Sequence, residues 1–161
     1  MTDIFIGIDP GLGGAVAVLG RKIPHVFDMP TVVVSKTGFV KRAVDVHGLA
    51  VTLRPYASDH LIRCKVQVAI ERVNAFPGQG VGSMFSLGMS YWGAVGVIAA
   101  LGLPLELVEA KDWKAHFRLS KDKEMARGLA SRLYPDVDLS HKKDHGRAEA
   151  LLIARYAMEK L

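Results

Sequence analysis

Apolar residues change their spacing several times along this chain, and each change marks an element. Ile4-Phe5-Ile6-Gly7-Ile8 is a short apolar run that stops at Asp9 and then at Pro10-Gly11. A run of this length bounded by Pro and Gly predicts a strand buried on both faces, with Asp9 at its C-terminal end. Gly11, Gly13 and Gly14 allow a tight turn, and Ala15 to Leu19 predicts a second strand that closes a hairpin. Lys22 to Met29 reads as a third strand, ended by Pro30. Residues 31–43 begin apolar and turn basic through Lys36, Lys41 and Arg42, which reads as a loop or insertion able to touch phosphate. Asp45 is placed to cap a helix from Val46 to Tyr56 with Leu49, Val51, Leu53 and Tyr56 as core residues, and Pro55 predicts a kink or an early end. Val66 to Glu71 repeats the first pattern, apolar residues and then a carboxylate. A strand that follows a helix normally joins its sheet by a right-handed crossover, parallel to an earlier strand. Laid beside the first strand, it brings Asp9 and Glu71 together on the edge where open α/β sheets bind ligands.

The second half is mostly helical. Asn74 to Gly82 is a glycine-rich loop that leads into a helix over residues 83–101. Phe85, Met89, Trp92 and Gly96 fall at helical spacing. The first expectation for this stripe is packing on the sheet, and the second is a self-associating face. No Asp, Glu, Lys or Arg occurs from Val73 to Leu105, long enough to cross a bilayer, but Pro77, several glycines and three serines interrupt it, so a buried helix is expected. Leu105 to Val108 predicts a fifth strand and Lys111 to Phe117 a short helix. Ser120 is expected to cap a helix from Lys121 to Tyr134, with Glu124 in capping-box register. A loop over 135–140 precedes the last helix, His145 to Glu159, whose core face uses Ala148, Leu151, Leu152 and Tyr156. The sum is an α/β chain, a five-stranded mixed sheet flanked by helices, read as one domain over residues 1–161.

Charge sharpens this picture. Between Lys111 and Arg147 there are ten Lys/Arg and six Asp/Glu, so this segment holds +4 of the net +5. A basic bias concentrated in one segment suggests a polyanionic partner, most often nucleic acid, as well as an ordinary solvated surface. Cys64 is the single cysteine, which excludes a disulfide framework and a cysteine-based zinc site and suits a reducing compartment. The N-terminus shows no secretory pattern.

The candidate chemistry is carboxylate chemistry. Asp9 and Glu71 end two strands, and the last helix opens Asp144-His145-Gly146-Arg147-Ala148-Glu149. His145 and Glu149 are four apart and share a helical face. In a purely structural reading Asp144 caps the helix, Glu149 favours its N-terminal dipole, and His145 is exposed. Beside Asp9 and Glu71, the same residues complete a hard donor set for a pair of Mg²⁺ or Mn²⁺ ions. Two such ions about 4 Å apart generate hydroxide and stabilise the leaving oxygen in phosphodiester hydrolysis. Whether Asp144 or His145 joins the set stays open, with His145 favoured because the turn of the helix carries Asp144 away from Glu149.

Three motifs, Gly7-Ile8-Asp9-Pro10-Gly11, Ala69-Ile70-Glu71 and Gly146-Arg147-Ala148-Glu149-Ala150-Leu151-Leu152, resemble those of the RuvC-type Holliday-junction resolvases, on the ribonuclease H-like fold. The resemblance runs from Ile4 to Leu161. Its last motif is more similar to phage-encoded and chloroplast members, where His and Glu stand four apart. Bacterial members carry two aspartates three apart, and here the position three before Glu149 is Gly146. The resemblance implies a homodimer through the helix over residues 82–101, facing the two continuous strands of a four-way junction. It implies that Phe76, with Gln79 in the same loop, enters the junction, and that Lys121 lies near the scissile phosphate. It also suggests a role in recombination, repair or phage DNA processing, in bacterial or infected-host cytoplasm.

The sequence therefore reads as a crossover junction endodeoxyribonuclease that makes paired symmetric nicks with 5′-phosphate and 3′-hydroxyl ends. Asp9, Glu71, His145 and Glu149 would hold two Mg²⁺ or Mn²⁺ ions, and Lys121 would neutralise charge at the phosphate. Lys111, Lys114, Arg118, Lys123, Lys142 and Lys143 would make salt-sensitive backbone contacts. The alternatives are a branched-nucleic-acid binding module that does not cut and a broader fork or flap nuclease. An actin-like or sugar-kinase nucleotide site is disfavoured because the chain is too short for two lobes.

Overall fold

In a computed structural model, described for residues 3–161 except 21–22, 39, 63 and 76, five strands form one mixed sheet. The strands are β1 (Ile4–Asp9), β2 (Ala15–Leu19), β3 (His25–Asp28), β6 (Val66–Glu71) and β7 (Leu105–Val108), in the order β3-β2-β1-β6-β7. β2 runs antiparallel to β1 and β3 to β2, whereas β6 runs parallel to β1 and β7 to β6. This is the predicted class and strand count. Residues 31–43 depart from the predicted loop. Thr31–Val33 (β4) and Arg42–Val44 (β5) pair as an antiparallel ribbon, because Val32, Val33, Ala43 and Val44 carry enough β-branched and small apolar character to ladder.

The helices are α1 (Val46–Ile62), α2 (Val81–Ala100), α3 (Ala110–His116), α4 (Lys123–Leu133) and α5 (His145–Lys160). Asp45 caps α1 as predicted, accepting from the backbone N–H groups of His47 (3.1 Å) and Gly48 (3.0 Å). Pro55 neither ends nor shortens α1, which runs on to Ile62. The helix sits at the surface on the Pro55 side, so the missing N–H faces solvent there. Leu49, Leu53 and Tyr56 are buried, but Val51 is 55% exposed because it lies half a turn from that stripe. Ser120 does not cap α4. Asp122 does, accepting from Glu124 N–H at 2.9 Å, while the Ser120 hydroxyl accepts from Asp122 N–H. The carboxylate nearer the helix wins the cap.

The two faces of the sheet carry different cores. On one, Ile4, Ile6, Ile8, Val16, Val18, Val68 and Ile70 meet α1 and α2. On the other, small residues line up: Gly7 pairs in register with Ala17 on one side and Ala69 on the other. This row makes a trough for α5, whose Ala150, Leu151, Leu152 and Ala154 are fully buried. A Cβ at Gly7 would lie 2.2 Å from both Ala150 O and Ala154 N. α5 therefore rests directly on the β1 backbone. At its start a Cβ on Gly146 would lie 2.2 Å from Gly13 O, so the helix also abuts the β1–β2 turn. Arg147 clamps the same end to β3 through two bonds to Asp28, Nε–Oδ1 2.6 Å and a second guanidinium nitrogen to Oδ2 at 2.8 Å.

α2 is less buried than the sequence suggested. Its inward face is Ser90, Tyr91, Ala94 and Ile98. The predicted core stripe points outward instead, with Phe85 62% and Trp92 65% exposed and Met89 and Val81 also on the surface. Small residues allow the helix to approach its neighbours by the opposite face: a Cβ on Gly93 would lie 3.1 Å from Val46. The helix is long and apolar enough to cross a membrane by length and composition alone, yet its inward face is part of the sheet's core.

Candidate metal centre

Strand alternation aims the carboxylates. Ile8 pairs with Ile70, so Asp9 and Glu71 stand side by side one residue later, on the face that carries Gly7 and Ala69. That face is covered by α5, and the trough sets α5 so that Glu149 joins them. Each carboxylate feels the others. Asp9 is pushed up to about 7, first by withdrawal from water, then by Glu149 and, less, Glu71, against a hydrogen bond from Gly11 N–H (3.3 Å). Glu71 is also raised, first by burial and further by Glu149, while the Trp113 indole and Lys114 and Lys123 oppose the shift.

Lysines surround this cluster. Lys114 Nζ lies 3.7 Å from Glu149 Oε1 and 5.0 Å from the Trp113 ring centre. It is therefore part of the carboxylate site rather than a free backbone-contact lysine. Lys123 lowers both Asp9 and Glu71, so its charge reaches the cluster. A cleft of about 510 Å³ opens beside the strand ends, lined among others by Asp9, Glu71, Asn74, Gln79, Lys111 and Lys121. Sequence reasoning gave Gln79 and Lys111 as DNA contacts and Lys121 as a neighbour of the scissile phosphate, and all three line this cleft. Phe76 lies outside the described residues. Arg118 sits apart, in a second cavity of about 470 Å³ between α3 and α4 that Arg132 shares. Lys142 and Lys143 are exposed on the turn before α5.

Asp144 and His145 separate clearly. Asp144 is buried and turned back, accepting from His141 N–H at 2.9 Å to cap the short 3-10 turn Lys142–Asp144. With Asp138 and His141 it forms a group of donor atoms all within 4.8 Å of one another, but Asp138 and Asp144 there are engaged by the backbone N–H groups of Ser140 and His141. His145 points its Nε2 at Glu124 Oε1, 3.2 Å away, and leaves Nδ1 buried with no hydrogen-bond partner. A carboxylate beside Nε2 favours the tautomer protonated there, which leaves the Nδ1 lone pair available.

Sequence reasoning missed two residues. Trp113 is fully buried and its Nε1–H donates to Glu71 Oε2 at 2.8 Å. Nothing in the local pattern distinguishes it from any core tryptophan. Arg147, which fixes α5 through Asp28, entered the sequence reading as charge and as part of a motif, with no structural role.

The donor set fits a divalent ion. Three carboxylates crowd one edge against their own repulsion, two have raised affinities for protons, and an orphaned imidazole nitrogen lies one helical turn from Glu149. Oxygen-rich, anionic and partly buried, such a set suits Mg²⁺ or Mn²⁺. Metal and proton then compete for Asp9. Below pH 7 the apparent Mg²⁺ affinity is expected to fall about tenfold per pH unit, with one proton released per binding event, and calorimetry in buffers of different ionisation enthalpy checks it.

The sheet order, the carboxylates at the ends of two parallel central strands and the helix laid over them define a ribonuclease H-like α/β protein. More narrowly, the fold is that of RuvC. Thermus thermophilus RuvC in complex with Holliday junction substrate superposes with a TM-score of 0.57 over 98% of this chain and 96% of that one, at 14% identity. A second T. thermophilus RuvC structure gives 0.53, at 17% identity, over 97% and 96%. In sequence, 86 residues are 34% identical to a chloroplastic Holliday junction resolvase, MOC1, of Chlamydomonas reinhardtii. That match takes in 51% of this chain and 10% of the algal protein. No protein-family model matches the chain.

Proposed function

We propose that this protein is a metal-dependent endonuclease that resolves four-way DNA junctions. The observation that carries the reading is the meeting of Asp9, Glu71 and Glu149 at one sheet edge, beside a cleft that also holds Lys111 and Lys121. Clustered carboxylates repel a phosphate, so a module that only binds DNA gains nothing from them. Asp9, Glu71, Glu149 and His145 would hold two Mg²⁺ or Mn²⁺ ions. When bound, such ions supply a hydroxide nucleophile and stabilise the departing 3′-oxygen. The chain's own residues do the rest. Lys121 meets charge developing on the scissile phosphate, and Gln79 and Lys111 hold the strand along the cleft. Lys114 pairs with Glu149 in the bare protein.

The outward stripe of α2, Val81, Phe85, Met89 and Trp92, is the proposed contact between two copies, which places two sites opposite two strands. Such work belongs in a compartment that contains DNA, here the cytoplasm of a bacterium or of its infected host. Arg118, Lys142 and Lys143 would touch the outer arms of the junction.

A synthetic mobile junction with each strand labelled in turn tests the reading. Paired symmetric cuts in opposing strands, dependent on Mg²⁺ or Mn²⁺ and carrying 5′-phosphates, support it. Cutting of forks and flaps at the same rate points to a broader debranching nuclease, and tight binding with no cutting under any metal overturns the enzyme reading.

Arg118 allows a separate check. It sits just past the C-terminus of α3 at φ 54°, where glycine is at ease and a side chain is not. Arg118→Gly is expected to stabilise the fold by about 1 kcal/mol and to reduce the slope of log K against log salt by about one phosphate contact. Thermal melts and junction binding at several salt concentrations read both.

A further inference from the structure

We propose that Trp113 is the positioning residue that presets Glu71 for a divalent ion, an inference that rests on the nuclease reading. Trp113 is fully buried among Ala69, Val108 and the α5 core, yet an indole nitrogen is a donor that must be satisfied. It is satisfied by Glu71 Oε2 at 2.8 Å. The geometry is rigid from both sides. Glu71 pairs in register with Val108, the last residue of β7, and Arg72 N–H donates to Val108 O at 2.8 Å. α3 begins two residues after Val108, so Trp113 reaches Glu71 from the adjoining strand's own continuation. The planar ring is wedged in the core, and its single donor has one direction in which to point.

The choice of donor matters. A glutamate has three rotatable bonds to order before it can serve as a ligand, and a fixed partner orders it in advance. Trp113 engages Oε2, and among the described residues no hydrogen bond is made to Oε1, on a side chain that lines the cleft. An indole is also neutral, so it orients the carboxylate without cancelling its charge. Glu149 shows the contrast, since its partner Lys114, 3.7 Å from Oε1, is a cation that offsets the carboxylate's charge. One short helix thus treats the two carboxylates differently, holding Glu71 ready and Glu149 in reserve.

The test uses Mn²⁺ alone, by calorimetry on the whole protein without DNA, with thermal melts in EDTA. Trp113→Phe keeps a buried ring and removes the donor. The expected result is a melt close to that of the unsubstituted protein and a Mn²⁺ dissociation constant raised by about 10- to 100-fold. A purely structural role would lower the melt and leave the affinity of the folded protein unchanged. If Trp113→Phe binds Mn²⁺ as the unsubstituted protein does while Glu71→Gln does not, the positioning role is overturned and the nuclease reading stands. If the unsubstituted protein binds no Mn²⁺, both fall. A second measurement needs no change at position 113. The chain has two tryptophans, and the buried one's indole N–H resonance is expected to move in Glu71→Gln and again on adding Mg²⁺. An indole resonance that ignores Glu71→Gln overturns the proposal even if Trp113→Phe does not fold.

Discussion

Asp9→Asn is expected to lower junction cleavage by about 10⁴-fold or more, while junction binding holds or tightens. Asp9 ends the central strand, is flanked in register by Glu71 and faces Glu149, so it is the carboxylate most constrained by the fold. An amide has the same shape but one poorer donor atom for a hard cation and no charge to balance it. Removing that charge also removes the burial penalty, and the lesser repulsion from Glu149 and Glu71, that push Asp9 up to about 7. Between its ordinary value of 3.8 and 7, the unfolded chain has released the proton that the folded one still holds. The bare protein therefore loses stability as pH rises through this window, by up to about 4 kcal/mol. Asp9→Asn is insensitive to that change. At pH 8 in EDTA its melting temperature is expected to exceed that of the unsubstituted protein, and at pH 4 the difference should vanish. Loss of cutting with a lower melt at pH 8 would indicate damage rather than a missing ligand.

Gly146→Asp is expected to destroy the site rather than enrich it. On sequence alone the substitution looks like a gain, since it restores two acids three apart, the pattern of the bacterial resolvases. The backbone forbids it. A Cβ at residue 146 would lie 2.2 Å from Gly13 O and 2.8 Å from Gly14 Cα, and backbone atoms cannot rotate aside as a side chain would. α5 must lift from the β1–β2 turn, which strains the Arg147–Asp28 clamp and carries Glu149 away from Asp9. The expected loss is about 3 kcal/mol or more of stability, with metal affinity falling in the fraction that still folds. Gly146→Ala separates the causes. It adds the clash without the charge and is expected to do nearly the same harm, as denaturant melts and Mn²⁺ calorimetry will show. The contact of residue 146 with the β1–β2 turn closes the bacterial arrangement off in this chain, and the proposed donor set takes His145 and Glu149 instead.

The parts of the fold that were legible in the sequence are those written in local pattern. The strands that end in Asp9 and Glu71 announce themselves as apolar runs cut by an acid, and their neighbourhood follows from crossover handedness. The Asp45 cap is equally local. Errors arose where neighbours decide. The apolar stripe of α2 looks like core because composition does not say which side a helix shows to the sheet, and here Tyr91, Ala94 and Ile98 took the inner face. Pro55 passes unnoticed in α1 because its lost hydrogen bond lies at the surface. Lys114 and Lys123 were legible as charge but not as neighbours of the carboxylates, and Trp113 was invisible, since its partner is 42 residues away. Asp144 was separable from His145 only once the 3-10 turn showed where each points.

The trough of Gly7, Ala17 and Ala69 has a consequence for the chain as it is being made. β1, β2 and β6 precede α5 in the chain, so the bed they form is empty until α5 is synthesised and lies down in it. Until then the third carboxylate is missing. A chain that stops before α5 lacks both Glu149 and the helix that covers the bed, so the proposed metal site is complete only once the final helix docks.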